Sequence, residues 1–309
     1  MGTSFKGIIP PVTTPFSEEG SLLFSALEGN VQNYLRTSLS GFLLLGSNGE
    51  SVHLSRREKL EIVGLIAPAL PSDRYLFVGL NFATEQESLS FLESLSAYRI
   101  DAVLTSVPSY YKNRMNGAAL RDYFFALAEH SPFPLLLYNV PQYSGVELAP
   151  ALIGEVAGHE KIVGMKDSSG SLIYLQRVLR ETAGKDFQVL LGSASVLGPS
   201  LVLGIQAAIL AVACALPDLP IRILEDFRKG RDIRQRQLEL SEITAPLTST
   251  YGVAGLKFAM DLAGLEGQWC RRPLLPLSRQ EKSTIRQCLA PVLGDGRSKE
   301  ACICPRTRV

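Results

Sequence analysis

Short apolar runs alternate with longer amphipathic stretches along almost the whole chain. Each run has the length of a β-strand and is apolar nearly throughout, a pattern typical of strands that are buried on both faces. The eight predicted strands cover residues 7–12, 41–45, 75–79, 101–106, 134–138, 161–166, 187–191 and 207–211.

The stretches between these runs have helical periodicity, and two of them begin with a capping box. Ser55 is followed three residues later by Glu58, and Thr84 by Glu87. The predicted helices cover residues 22–39, 55–70, 84–98, 116–130, 149–157, 171–182 and 219–229. Strands that alternate with helices indicate right-handed βα units and a parallel sheet.

Two architectures fit this alternation, a closed eight-stranded barrel and an open doubly wound sheet. The count of eight favours the barrel, and no Gly-x-Gly-x-x-Gly motif follows the first strand. We therefore predict a TIM (β/α)8 barrel over residues 1–232 and a C-terminal helical extension of the same domain over 233–293, with helices near 238–264 and 278–293. Residues 294–309 are predicted to be a flexible tail.

Composition and charge narrow the class of protein. The chain has 309 residues, of which 46% are hydrophobic, and its 31 basic and 30 acidic residues leave a net charge of +1. Near-neutral charge argues against nucleic-acid and membrane-surface binding, and no apolar run is long enough for a membrane span. The cysteines and histidines lack disulfide or metal-ligand spacing, so we expect a cytoplasmic protein without a metal.

The active site of such a barrel lies at the carboxyl ends of its strands, so residues there are the candidates for binding and catalysis. The second strand is followed by the sequence GSNGES. Gly46 and Gly49 allow a tight turn, and Ser47 and Asn48 add donors, so the loop suits a small carboxylate or phosphate. The alternative is an ordinary glycine-rich turn.

Two other strands end in residues whose side chains could take part in catalysis. Tyr138 ends the fifth strand, where it could relay protons or simply fill the barrel. Lys166 ends the sixth strand, and burial of its ammonium would favour a neutral, nucleophilic amine. The alternative is a lysine that reaches solvent or pairs with Asp167.

Four motifs follow the second, fourth, fifth and sixth strands in order. They are GSNGES at 46–51, PSYY at 108–111, YNVP at 138–141 and GMKDSSG at 164–170. Together they resemble the dihydrodipicolinate synthase and N-acetylneuraminate lyase family of pyruvate-dependent class I aldolases. The similarity spans about residues 5–290.

The resemblance implies a mechanism and an assembly. Lys166 would form a Schiff base with a 2-oxo acid, and Tyr138 would shuttle protons together with the glycine-rich loop. A tyrosine from a neighbouring subunit would complete the relay; Tyr110 is expected, with Tyr111 as the alternative because the loop is longer here. No cofactor beyond the covalent Schiff base is implied, and the expected assembly is a homotetramer built as a dimer of dimers.

Departures from the family pattern point to the substrate. Tyr143 replaces the arginine with which the synthase holds its second substrate, and Gly192-Ser193 begins a segment without the acids that the lyase uses. The chain is therefore most similar to 4-hydroxy-2-oxoglutarate aldolase and 2-keto-3-deoxy sugar-acid aldolases. The implied substrate-binding residues are Gly46, Ser47, Asn48, Gly49, Tyr143, Ser168, Gly192 and Ser193.

The expected function is a lyase that splits a 4-hydroxy-2-oxo acid into pyruvate and an aldehyde. One alternative is dihydrodipicolinate synthase, which condenses pyruvate with aspartate semialdehyde. Another is a catalytically silent barrel that binds 2-oxo acids. A zinc-dependent aldolase is disfavoured because the sequence offers no cluster of metal ligands.

Overall fold

Eight parallel strands form the centre of the molecule, and each overlaps one of the predicted strands. The computed structural model describes residues 4–82 and 84–293, so the predicted tail at 294–309 lies outside the described residues. The strands are β1 (Gly7–Ile9), β2 (Gly41–Leu44), β3 (Tyr75–Leu80), β4 (Ala102–Ser106), β5 (Leu135–Asn139), β6 (Ile162–Asp167), β7 (Gln188–Leu191) and β8 (Ala207–Ile209). Their order in the sheet is β1-β8-β7-β6-β5-β4-β3-β2.

The sheet closes between β1 and β2. Leu43 N donates to Pro10 O at 3.0 Å, and Val12 N donates to Leu43 O at 2.9 Å. Pro10 and Pro11 have no N–H group, so a regular ladder cannot form at this seam. These contacts confirm the predicted barrel and exclude the open sheet.

Helices follow the strands and pack against the outside of the barrel. They are α1 (Phe24–Leu35), α2 (Arg56–Ile66), α3 (Glu85–Ser94), α4 (Gly117–His130), α5 (Pro141–Ser144), α6 (Pro150–Val156), α7 (Leu172–Glu181), α8 (Leu197–Val202) and α9 (Asp218–Arg228). The predicted caps are present, because Ser55 and Thr84 accept from the backbone N–H groups of Glu58 and Glu87. No helix was predicted after β7; α8 has six residues and contains Gly198 and Pro199, both poor helix formers.

The C-terminal extension consists of α10 (Arg234–Thr244), a π-helical turn (Ala245–Thr250), α11 (Gly252–Leu262) and α12 (Arg279–Leu293). These helices overlap the regions near 238–264 and 278–293 where helices are predicted, but the π-helical turn between α10 and α11 is not predicted. Pro246 has no N–H to continue the α-helical bonding there. None of the helices in the described part of the chain is long and apolar enough to span a membrane.

The side chain of Gln237 places the extension over the mouth of the barrel. The side-chain amide nitrogen of Gln237 in α10 donates to the carbonyl oxygens of Ala194 and Ser195 at 3.1 and 3.0 Å. Its amide oxygen accepts from Gly198 N at 2.7 Å. These bonds fix α10 to the segment after β7, so the π-helical turn lies beside the carboxyl ends of the strands.

The barrel interior is filled by side chains that alternate along the strands with outward-facing ones. Leu104, Leu136, Tyr138 and Leu190 belong to this interior cluster. Lys166 is the register partner of Tyr138 on β5 and of Leu190 on β7. The register therefore directs Lys166 into the barrel at its carboxyl end.

Candidate active site

Lys166 and Tyr138 meet at the mouth of the barrel. The Lys166 ammonium nitrogen (Nζ) lies 3.4 Å from the Tyr138 hydroxyl oxygen and 4.4 Å from the centre of its ring. Only 4% of Lys166 and 5% of Tyr138 is exposed. Lys166 therefore lies buried beside a phenol and does not reach solvent.

Asp167 follows Lys166 but points to the other face of β6, as alternation along a strand requires. Its carboxylate accepts from the side-chain amide of Asn139 at 2.7 Å and from the Ser169 hydroxyl at 2.8 Å. Burial raises the pKa of Asp167, and these donors partly oppose the rise. Asp167 is thus satisfied within the barrel wall and does not pair with Lys166.

The surroundings of Tyr138 favour its ionised form. Burial by itself would raise the pKa of this phenol. The charge of Lys166, the hydroxyls of Ser47 and Ser168, and the hydrogen bond from Lys166 outweigh that effect, so the pKa of Tyr138 lies below its ordinary value. Such a phenol can release and recover a proton more readily than a free tyrosine, which suits a general acid–base.

A cavity of about 560 Å³ opens above Lys166. The predicted site residues that line it are Asn48, Tyr138, Tyr143, Lys166, Ser168, Gly192 and Ser193. An adjoining cavity of about 490 Å³ is lined by Ser47 and shares Tyr138 and Tyr143. Predicted site residues from the glycine-rich loop and from β5, β6 and β7 are therefore brought together.

Other predicted residues line neither cavity. Gly46 and Gly49 lie in the backbone of the 3₁₀ turn that carries Ser47. Tyr110 and Tyr111 lie at the surface, 89% and 71% exposed, with their ring centres 5.0 Å apart. Within a single chain, neither tyrosine contributes to the site.

Gly192 has no side chain, and the space beside it is occupied by the side chains of Lys166 and Ser168. A β-carbon at this position would lie 2.0 Å from the Ser168 hydroxyl oxygen and 3.0 Å from the Lys166 Cε atom. Carbon and oxygen atoms do not approach so closely without a rearrangement. Gly192 is therefore required sterically at the site.

A buried ion pair holds the glycine-rich loop. Glu50 ends the turn in the left-handed region, with φ 51°. Its carboxylate accepts from Lys257 Nζ at 2.6 Å, and both side chains are 1% exposed. Lys257 also donates to the carbonyl oxygens of Thr14 and Trp269, at 2.7 and 2.6 Å. The extension thereby fixes the loop that carries Ser47 and Asn48.

Sequence reasoning missed the contribution of the extension. Lys257 is a charged residue within the largely apolar segment 252–260, a weak signal of a buried partner. Arg271 reads from sequence as half of a solvated pair with Arg272. It instead pairs with Glu58 at 2.7 Å and lies 4.3 Å over the Phe16 ring.

The arrangement as a whole joins a buried amine, a proton-exchanging phenol and an open cavity, the elements of covalent catalysis on a carbonyl.

Comparison with known proteins places these features in a family. The model of the dihydrodipicolinate synthetase family matches residues 4–291. The 4-hydroxy-tetrahydrodipicolinate synthase of Methanothrix thermoacetophila is 31% identical over 287 residues, which cover 92% of this chain and 96% of that protein. A probable mitochondrial 4-hydroxy-2-oxoglutarate aldolase of Emericella nidulans is 29% identical over 290 residues, with coverages of 92% and 94%. The crystal structure of YagE from E. coli, a prophage protein of the same family in complex with pyruvate, has a TM-score of 0.86 at 26% identity, covering 94% of this chain and 99% of that one.

Proposed function

Because the chain belongs to the dihydrodipicolinate synthetase family, we propose that it is a lyase that cleaves a 4-hydroxy-2-oxo acid into pyruvate and an aldehyde. Membership makes it a pyruvate-dependent class I aldolase or lyase, an enzyme that makes or breaks a carbon–carbon bond through a Schiff base. The candidate substrates are 4-hydroxy-2-oxoglutarate and a 2-keto-3-deoxy sugar acid. The observation that carries the proposal is the buried Lys166 amine, 3.4 Å from the Tyr138 hydroxyl beneath an open cavity.

In the proposed reaction, the Lys166 amine attacks the C2 ketone, Tyr138 gives its proton to the oxygen that leaves as water, and a protonated imine remains beside the Tyr138 phenolate. Tyr138, as phenolate, accepts the proton of the C4 hydroxyl while the C3–C4 bond breaks. The aldehyde departs, and the electron pair of that bond moves into the imine to give an enamine. Protonation at C3 and addition of water then release pyruvate and restore the amine.

The glycine-rich loop is proposed to hold the pyruvyl carboxylate. Asn48 lines the Lys166 cavity, and a hydrogen bond with the Ser47 hydroxyl lowers the pKa of Tyr138. Asn48 stands where the family has a hydroxyl-bearing residue, so the relay to Tyr138 is assigned to Ser47. The turn itself is closed by the backbone N–H of Gly49, which donates to the Gly46 carbonyl oxygen at 3.0 Å.

Dihydrodipicolinate synthase is the second candidate. The Methanothrix relative carries the name of that activity at 31% identity, slightly above the aldolase relative. Tyr143, in place of the synthase arginine, lines both cavities and offers no positive charge for the carboxylate of aspartate semialdehyde. This observation favours the lyase.

The test measures pyruvate released from a panel of 4-hydroxy-2-oxo acids, with condensation of pyruvate and aspartate semialdehyde assayed in parallel. Lys166→Arg should abolish release, and Tyr138→Phe should lower kcat by about 10²–10⁴-fold. Lys161→Arg, one residue before β6 begins, is the matched control and should retain activity. Condensation without cleavage would establish the synthase instead. Equal pyruvate binding by wild type and Lys166→Ala, without turnover, would establish a silent barrel.

The proposal extends to the oligomeric state, the cofactor requirement and the cellular compartment of the enzyme. A homotetramer built as a dimer of dimers would allow the exposed Tyr110 or Tyr111 to enter a neighbouring site. No cofactor besides the Schiff base is proposed. Within residues 4–82 and 84–293, Cys214, Cys270 and Cys288 form no disulfide, which suits the proposed location in the reducing cytoplasm. Light scattering and the activities of Tyr110→Phe and Tyr111→Phe test the assembly; a fully active monomer would contradict it.

A further inference from the structure

The extension supplies one wall of the Lys166 cavity. Thr244, Thr248 and Ser249, at the end of α10 and in the π-helical turn, line it. Departures from α-helical bonding of this kind occur frequently at functional sites. This wall lies far along the chain from the strands that carry Lys166 and Tyr138, and no family motif in the sequence includes it.

Thr244 has a buried hydroxyl without a partner. The residue is 7% exposed, and within residues 4–82 and 84–293 its side-chain oxygen makes no hydrogen bond. Thr248 does not satisfy it, because its hydroxyl donates to the Thr244 carbonyl oxygen at 3.0 Å. A buried hydroxyl that is left unpaired carries a free-energy cost, because it has given up its hydrogen bonds to water. A ligand hydroxyl in the cavity would remove that cost.

Other residues that line the cavity are also polar and uncharged. They include Ser168, Ser193, Ser195 and Gln142. The hydroxyl oxygens of Ser193 and Ser195 lie 2.9 Å apart, and the Gln142 amide donates to the Ser168 carbonyl oxygen at 3.3 Å. Among the described residues that line the cavity, Lys166 is the only one with a basic side chain, and none is an aspartate or a glutamate.

We propose that this cavity selects substrates whose aldehyde half is uncharged and carries hydroxyl groups, as in a 2-keto-3-deoxy sugar acid. The proposal rests on the proposed function, because Lys166 fixes the pyruvyl end of the substrate. Serine and threonine hydroxyls both donate and accept, so they pair with substrate hydroxyls of either orientation. A second carboxylate or a phosphate would lose its hydration without meeting a cation, which costs several kcal/mol.

The test compares kcat/KM for pyruvate release from three compounds with the same pyruvyl end. They are 2-keto-3-deoxygluconate, its 6-phosphate and 4-hydroxy-2-oxoglutarate. The kcat/KM for 2-keto-3-deoxygluconate, whose aldehyde half is uncharged, should exceed the other two values by at least about 100-fold. A higher value for the phosphate or the dicarboxylate would overturn the proposal.

Thr244→Val keeps the shape of the side chain and removes its hydroxyl. It should lower kcat/KM for 2-keto-3-deoxygluconate about tenfold, while borohydride trapping of pyruvate on Lys166 stays unchanged. Thr182→Val is the control, because Thr182 is equally buried but its hydroxyl donates to the Val178 carbonyl oxygen in α7 at 2.9 Å. Ser193→Arg supplies a cation and should shift preference towards the dicarboxylate. Unaltered preference in both cavity variants would refute the assignment of this wall.

The two proposals fail in different ways. If pyruvate is trapped on Lys166 but charged tails are preferred, the selectivity proposal is wrong and the lyase proposal stands. If no adduct forms on Lys166, the lyase proposal itself is wrong.

Discussion

Replacing Lys257 by methionine should cost both stability and activity. The Lys257 ammonium is buried with the Glu50 carboxylate at 2.6 Å and also donates to the carbonyl oxygens of Thr14 and Trp269. Methionine has a similar length but removes the cation that pairs with the buried carboxylate. The carboxylate cannot reach water, because the Glu50 side chain is 1% exposed.

The expected loss follows from the groups that remain. Removing one member of a buried ion pair costs about 3–5 kcal/mol. Glu50 keeps the backbone N–H of Arg271 at 2.9 Å and the imidazole of His53 at 3.3 Å, which favours the lower part of that range. Because Glu50 ends the turn that carries Ser47, the same substitution should raise KM for the 2-oxo acid.

A double-mutant cycle with Glu50→Gln isolates the pair, with urea unfolding and pyruvate release as readouts. The double variant should lose less free energy of unfolding than the two single variants lose together, by about 1–3 kcal/mol. Lys59→Met is the matched control, because Lys59 is also buried and lies 4.1 Å over the Phe82 ring without an ion pair among the described residues. Additive losses, or a loss below about 1 kcal/mol for Lys257→Met, would refute the role given to the pair.

Three further predictions concern sterics, pH and metals. Gly192→Ala should lower kcat/KM by at least about 100-fold in the pyruvate-release assay, because the added carbon would lie 3.0 Å from Lys166 Cε; normal activity would contradict this. The hydrogen bond from Arg271 lowers the pKa of Glu58 from 4.5 to about 2, so its contribution to stability, present above about pH 4.5, should be lost as the pH falls towards 2. Urea unfolding at pH 6 and 3 should show part of that loss, at most about 2 kcal/mol, in wild type and not in Glu58→Gln; equal pH dependence would contradict it. Dialysis against EDTA should leave pyruvate release unchanged, and a loss restored by a divalent metal would contradict the Schiff-base proposal.

The strand pattern predicted much of this molecule because both faces of each strand are buried. Apolar runs therefore marked all eight strands, and the carboxyl ends of parallel strands converge in a barrel. Lys166 and Tyr138 could be brought together on that ground alone, since each ends a predicted strand. The family resemblance inferred from four motifs is confirmed by the match over almost the whole chain.

Contacts between distant segments could not be predicted in the same way. Lys257 and Glu50 are 207 residues apart, and periodicity reports only on neighbours along the chain. Thr244 was missed because a continuous helical pattern conceals the π-helical turn beside it. The proposed entry of Tyr110 into a neighbouring site depends on a second chain, so no pattern within this chain specifies its geometry.

The most direct measurement is the position of the covalent adduct after reduction. The protein is incubated with pyruvate and borohydride, digested, and analysed by mass spectrometry. The buried Lys59 and Lys257 serve as internal controls for accidental modification of a lysine. The account predicts a single adduct on Lys166 that is absent from Lys166→Arg. An adduct on another lysine, or none at all, would contradict it.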